Sequence, residues 1–492
     1  PSTDKINDYV VLLNVALYGC KQSPRLANHD VTQFFAEIGL VPMKTDPQAF
    51  ILGHFPTNFV IVLLFVDDGM CVYNNTDLFE TMLLNLRKKY TLKVEYQPKD
   101  FLSLEIEYHP TYIKLHQTGY VTQLLTDFKM LNCNAAPTPI TASQVKDITE
   151  TPSSLKECSN VNDFPMLTLC GRLLWLVRLC RFDILFATNF LCRYMSVANK
   201  LEKLMPIVKR VLRYLAGSKS FGLIYPISKG TDLTVSSQVD SDFSGDTTKK
   251  STYCRLTYVD KCLVNFSTKL QKSIATSTCN AEFNGITEAV TDIIYFRTCV
   301  DNLKGKTWPL SLSPFAVNYP PCTCTRYKEI QEQLSKWKKA PPSILMSDSQ
   351  TAIHCVENGK VTPGTKNETN KSAFVSEVCK QGIIQLKHKN GKELCPDAQT
   401  KAVDHKTFND LTLASQPLDP SRSGKLLMFA NKENFPALAD GANDPDSLSL
   451  ENLEISDPGH LSSLNEAGMF GDEFYQYIQD RPDGSDQDEQ QI

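Results

Sequence analysis

Two adjacent carboxylates, Asp67 and Asp68, close an apolar run from Asn58 to Val66, and Gly69 and a second apolar run, Met70 to Tyr73, follow at once. Strand, carboxylate turn and strand predict a hairpin with hard oxygen ligands at its tip, the ligand class that suits magnesium or manganese. Metal ions held there would serve phosphoryl transfer. Asp-Asp-Gly is also a plain turn signal between strands, so the pair alone leaves both readings open.

The elements that must carry this tip are legible on either side of it. Val10 to Val15 reads as a strand and Leu26 to Ile38 as a helix with Val31, Phe34, Phe35 and Ile38 on one face. A turn at Asp46-Pro47 leads into the hairpin. A second helix, Leu78 to Tyr90, places Phe79, Met82, Leu83, Leu86 and Tyr90 at helical spacing as core. Phe101 to Tyr108 and Tyr112 to His116 read as another hairpin, with Leu102, Leu104 and Ile106 alternating as on a half-buried sheet. The first 130 residues or so are thus expected to form an α+β layer.

Residues 134–164 are rich in Pro, Thr, Ser and Asn and read as a surface connection. Helical pattern returns over Met166 to Arg178 and Lys203 to Leu215, with Lys209, Arg210 and Arg213 as either a phosphate-facing stripe or a solvated face. From Leu223 short β-branched and aromatic runs predict strands at Leu233 to Val239, Tyr253 to Tyr258 and Lys261 to Ser267, then a helix from Cys279 to Leu303. Lys304 to Pro342 reads as an insertion. A strand at Ile344 to Met346, a helix at Thr351 to Glu357 and a strand at Ile383 to His388 complete a mixed α/β order. Periodicity ends near Val403, and residues 406–492 read as a disordered tail in which Phe474, Tyr475, Tyr477 and Ile478 are either a docking motif or chance.

At 492 residues, 42% hydrophobic and 22% charged, the chain can build two to four domains. Residues 431–492 hold 15 acids against Lys432 and Arg481, a net of −13; since the whole chain carries −4, residues 1–430 carry +9. A basic body with an acidic tail fits nucleic-acid binding, although many proteins that bind none share it. Sixteen cysteines without paired spacing point to free thiols in a reducing compartment, and Cys322 and Cys324 are too close for a usual zinc pair. The longest apolar runs fall far short of the roughly 20 residues that span a bilayer, so a cytoplasmic or nuclear, non-secreted protein is expected. A first residue of proline, in what reads as the middle of a domain, suggests an incomplete chain.

Ordered motifs extend these readings. Ala16-Leu17-Tyr18-Gly19-Cys20-Lys21-Gln22-Ser23-Pro24-Arg25 is close to ALYGLKQAPR; Phe65 to Asp68 stands for YVDD and Phe101-Leu102-Ser103-Leu104-Glu105-Ile106 for FLGIEI. Arg181-Phe182-Asp183-Ile184 stands for RPDI and Lys209 to Leu215 for KRVLRYL. Asp240 to Gly245 is similar to SDADWAG, Lys250-Ser251-Thr252 to KST, Ser347 to Ile353 to CDNQSAI, and Cys395 to Ala402 to LADIFTKAL. Over about residues 10–405 the chain therefore resembles the reverse transcriptase and ribonuclease H region of Copia-type LTR retrotransposon polyproteins.

The resemblance implies an α+β partial polymerase palm (1–133), a linker and helical connection (134–222), an α/β ribonuclease H-like domain with a mixed sheet (223–405, insertion about 304–342) and a disordered acidic tail (406–492). It makes Asp67 and Asp68 polymerase metal ligands, and Asp240, Asp348 and Asp397 three of the four carboxylates that cut the RNA strand of a hybrid with two metal ions. Lys21 and Arg25, with Lys209, Arg210 and Arg213, become candidates for nucleic-acid contact. Implied partners are RNA, DNA, RNA:DNA hybrid and a protein bound by the tail; the implied cofactor is magnesium or manganese.

Departures from the pattern predict lost chemistry. STEAEY is Ser277-Thr278-Cys279-Asn280-Ala281-Glu282-Phe283, so Asn280 falls on the fourth ligand position, and Glu282, two residues or about 200° around a helix, is expected to point away. A histidine and an aspartate of the family are replaced after Lys366 by Asn367, Glu368 and Thr369, and a Trp-Tyr pair by Ala27-Asn28. The palm strand bearing the third polymerase aspartate lies, in this family, upstream of the ALYG segment; Asp4 and Asp8 do not replace it. Both metal sites are therefore expected to be incomplete, polymerisation absent, and hybrid cleavage absent or weak. The alternatives are a noncatalytic nucleic-acid-binding or interaction protein, and a translated relic without function.

Overall fold

In the computed structural model, which describes residues 20, 22–150, 164–195, 201–227, 233–245, 247–304, 341–358 and 369–416, the apolar runs around Asp67 pair as expected. The chain divides into two units, Pro1–Gln33 with Glu451–Ile492, and Phe34–Leu450. Of the first, the described residues are the opening of helix α1 (Ser23–Glu37) and its approach. The expected strand Val10–Val15, Asp4, Asp8, Lys21, residues 305–340, Asn367, Glu368 and the chain from 417 onward lie outside the described residues.

The described residues of the second unit form three sheets. β1 (Val41–Pro42), β2 (Ala49–His54), β3 (Asn58–Phe65) and β4 (Asp68–Tyr73) form an antiparallel meander. Helix α2 (Thr76–Leu86), capped by the Asn75 side chain, buries Phe79, Met82, Leu83 and Leu86, the stripe its spacing predicts. At the hairpin tip Phe65 pairs with Asp68, leaving a two-residue turn whose first member, Val66, sits at φ 55°, a left-handed conformation that a β-branched residue adopts only under strain.

The second sheet joins β5 (Asp100–Phe101), β6 (Leu104–Tyr108) and β7 (Tyr112–His116) to β8 (Gly222–Pro226), which runs antiparallel to β7 from Tyr112↔Pro226 to His116↔Gly222. Residues 223–226, expected to open the next domain, thus complete the sheet of the Phe101–His116 hairpin. Gly222 permits that approach, since a Cβ there would stand 2.1 Å from the Leu115 carbonyl oxygen.

Between these strands lies a helical layer: α3 (Thr118–Asp127), α4 (Ala142–Thr149), α5 (Met166–Leu179), α6 (Leu185–Tyr194) and α7 (Leu201–Gly217). Helix α6 was not expected from the sequence, because eight of its ten residues are buried and it shows no polar stripe. The segment read as a surface connection packs in part against α7: Ala136, Thr138 and Ile140 are buried, and Arg210 and Arg213 bond to Thr138 and Asn134.

The third sheet has the order β11-β10-β9-β12-β13, with β9 (Val235–Asp242), β10 (Thr252–Val259) and β11 (Cys262–Leu270) antiparallel, and β12 (Ser343–Ser347) and β13 (Ile384–His388) parallel beside β9. The 26-residue helix α8 (Thr278–Leu303) lies across it with α9 (Gln350–Asn358) and α10 (Thr369–Lys380), around Val239, Phe283, Ile286, Val290, Leu345 and Val375. A last helix, α11 (His405–Ala414), falls inside the stretch read as tail. Asp404 caps it, Phe408 and Leu411 are buried, and Phe408 meets the Tyr214 ring edge-on at 5.7 Å. Among the described residues no helix is long and apolar enough to cross a membrane.

Candidate metal centre

Asp240 sits near the end of β9, the central strand of the third sheet, and is buried. Asp348 directly follows β12, the strand parallel to β9, so the two carboxylates emerge from neighbouring strand ends. Gly391 lies close against Asp348; a Cβ there would stand 2.9 Å from Oδ2. Helix α8 supplies the third group. Ser241 donates to the Ala281 carbonyl at 3.1 Å, and Gly285 leaves room for Val239 and Ser241, so the start of α8 is drawn onto β9. Glu282 is thereby buried beside Asp240: one carboxylate oxygen from each of Asp240, Glu282 and Asp348 lies within 4.8 Å of the others.

This reverses the expectation for α8. Asn280 stands in the first turn, where its backbone N–H is taken by the capping Ser277 side chain, while Glu282 is the α8 residue that meets Asp240 and Asp348. The 200° separation is real, but it turns Asn280 away from the cluster, not Glu282. The charge expected to be lost is present.

Burial governs the electrostatics. It pushes the Asp240 carboxyl up to about 7, with Asp397 and Asp348 adding to the rise and the Thr400 hydroxyl, 2.6 Å from Oδ2, opposing it. Burial, then the charges of Asp240 and Asp348, hold Glu282 well above the usual carboxylate range, and burial raises Asp348. Oε2 of Glu282 is buried without a hydrogen-bond partner. Three crowded carboxylates, one with an orphaned oxygen, form an all-oxygen donor set that a hard divalent cation satisfies.

Asp397 lies in a short 3-10 turn, Cys395–Gln399, next to this cluster, and its Oδ1 is 2.6 Å from Lys401 Nζ. It is not one of the three mutually close ligands. The same turn is anchored to the helical layer, where Gln399 Nε2 donates to the Asp183 carbonyl and Phe186 N–H donates to Gln399 Oε1, and to β11, where Thr268 Oγ1 donates to the Gln399 carbonyl at 2.8 Å. Thr400, Lys401 and Asp242 were not singled out from the sequence, although Lys401 stands four residues after Asp397, a spacing that returns a side chain to the same helical face.

The other expected residues do not converge. Asp67 and Asp68 are exposed at the hairpin tip, and among the described residues no third potential ligand joins them. Arg25 is exposed on α1. Lys209 is half-buried, while Arg210 and Arg213 are turned to Thr138 and Asn134 of their own chain, so the residues read as either a phosphate-facing stripe or a solvated face are in two places a structural clasp.

Residues 2–142 match the reverse transcriptase (RNA-dependent DNA polymerase) family. The chain is 28% identical over 405 residues to the retrovirus-related Pol polyprotein from transposon RE1 of Arabidopsis thaliana, covering 82% of this chain and 25% of that protein. It is 27% identical over 297 residues to the corresponding polyprotein from transposon TNT 1-94 of Nicotiana tabacum, 60% of this chain and 22% of that one. An uncharacterized mitochondrial protein of Arabidopsis thaliana, AtMg00810, is 29% identical over 226 residues, 46% of this chain and 89% of its own length. The chain thus spans about a quarter of the transposon polyproteins it matches.

Proposed function

We propose that the chain is part of a Pol polyprotein like those of transposons RE1 and TNT 1-94, to which it is similar, and that its third sheet is a ribonuclease H-like unit that cleaves the RNA strand of an RNA:DNA hybrid. The observation that carries this reading is the gathering of Asp240, Glu282 and Asp348 around one point, with Glu282 Oε2 buried and unpartnered. The strand order, three antiparallel strands followed by two parallel ones with a long helix across them, supports it. Magnesium or manganese, held by these three side chains, would activate water and steady the leaving oxygen.

The residues around the cluster have separable tasks. Thr400 fixes Oδ2 of Asp240, whose carboxylate meets Glu282 and Asp348. Ser277 caps α8, and Ser241 ties its first turns to β9, which keeps Glu282 from swinging into solvent. Asp67 and Asp68 are the hairpin half of a polymerase site in this reading, and DNA synthesis requires a further carboxylate beside them.

Hybrid cleavage is tested with an RNA:DNA duplex carrying a labelled RNA strand in magnesium or manganese. Cleavage of the RNA strand is expected, together with a fall of about 100-fold or more in Asp348→Asn. Salt-dependent binding of the duplex with no cleavage in either metal would overturn the reading in favour of a noncatalytic hybrid-binding protein.

A further inference from the structure

The turn that follows Asp397 delivers a cation to the carboxylates. Lys401 Nζ is 2.6 Å from Asp397 Oδ1; the lysine side chain is half-exposed, and that of Asp397 is 13% exposed. The charges that bear on this ammonium are Asp397, Asp240 and Asp242. Asp242 lies two residues after Asp240 on β9, hence on the same side of the strand, and it feels Lys401 more than any other charge. One residue earlier, Thr400 Oγ1 takes up Asp240 Oδ2. The Asp397 side of the cluster is therefore filled by this chain's own groups, a hydroxyl on one oxygen and an ammonium on another. Asp240, Glu282 and Asp348 converge without Asp397, and Glu282 Oε2 is buried with no hydrogen-bond partner.

We propose that Lys401 is a tethered cation occupying the second-metal position of this site, so that the protein binds one divalent ion on Asp240, Glu282 and Asp348 and none on Asp397. The inference rests on the metal-site reading above and refines it. A second divalent ion beside Asp397 would have to displace the ammonium from its carboxylate and sit within a few ångströms of it, where like charges repel strongly in a partly buried setting. Lys401 is in this sense a positioning residue: it pairs with Asp397, offsets the charge of Asp242, and sets how many ions the cluster accepts.

The test is a manganese titration of the full chain by calorimetry, with electron paramagnetic resonance to detect coupled ion pairs, on the wild type, Lys401→Gln and Lys401→Arg. One ion per wild-type chain is expected, with any second ion at least about 10-fold weaker. Lys401→Gln should bind two ions and show the coupled-pair spectrum, and Lys401→Arg should return to one. Two ions of similar affinity in the wild type would overturn the inference without recourse to any variant, as would a single ion in folded Lys401→Gln; both results leave the metal site standing. Binding of no manganese by any of the three would instead overturn the metal-site reading itself, and this inference with it.

Discussion

Glu282 is the residue on which the chemistry turns. Asn280 sits in the first turn of α8 and Glu282 two residues on, so replacing each asks the same question in opposite directions. Glu282→Gln is expected to lower hybrid cleavage by about 100-fold or more, while Asn280→Glu leaves it within about twofold; equal effects would return the ligand role to position 280. Asp240 gives the pH signature. Its folded carboxyl stands at about 7 against an ordinary 3.8, so the unfolded chain releases its proton first as pH rises. Its contribution to stability is whole below the lower value and is lost as pH climbs through the upper one. In metal-free buffer Asp240→Asn should therefore add stability of about 1–3 kcal/mol above pH 7.5 and almost none near pH 4, as read by thermal unfolding at both values. The family resemblance, not residue type, pointed to Asp240 and Asp348; which of two residues in one helical turn faces β9 depends on Ala281 and Gly285, whose smallness is a packing fact and not a chemical motif.

At the scale of elements, the strands of the third sheet and the helix across it follow from β-branched runs and a long periodic pattern, and their expected bounds lie within a few residues of those observed. Other features resisted, among them three whose reasons are plain. Helix α6 is buried almost all round and so has no amphipathic stripe, α11 is too short to stand out from polar surroundings, and β8 pairs with β7 across more than a hundred residues, a relation no local pattern carries. Turns were also misread. Lys261 was expected to open a strand, but Asp260 and Lys261 both adopt left-handed backbone, at φ 47° and 67°, between the paired Val259 and Cys262. A two-residue hairpin turn of that hand favours Asp-Gly. Lys261→Gly should thus stabilise the protein by about 0.5–1 kcal/mol, seen as a higher urea midpoint at constant slope; a lower midpoint would show that the lysine side chain does more at this turn than its backbone costs.

Across the whole second unit, one buried polar network connects the helical layer to the carboxylates. Arg181 and Asp183, both fully buried, are joined by bonds of 2.9 and 2.7 Å; Tyr214 donates to Asp183 at 2.8 Å and Arg181 donates to Ser218 at 2.8 Å. The Asp183 carbonyl accepts from Gln399, two residues after Asp397 and next to Thr400, which holds Asp240. Removing one member of a buried pair leaves the other uncompensated, so Asp183→Ala should cost about 3–5 kcal/mol in urea unfolding, whereas the combination Arg181→Met with Asp183→Leu, which leaves no buried charge, should cost less than Asp183→Ala alone. The same loss should reach the site. If Gln399 transmits the position of this network to the Asp397–Thr400 turn, Asp183→Ala also weakens manganese binding, by about 10-fold, under conditions where the variant remains folded. Full loss of stability with wild-type manganese affinity would separate the two and confine the Arg181–Asp183 pair to holding the helices together.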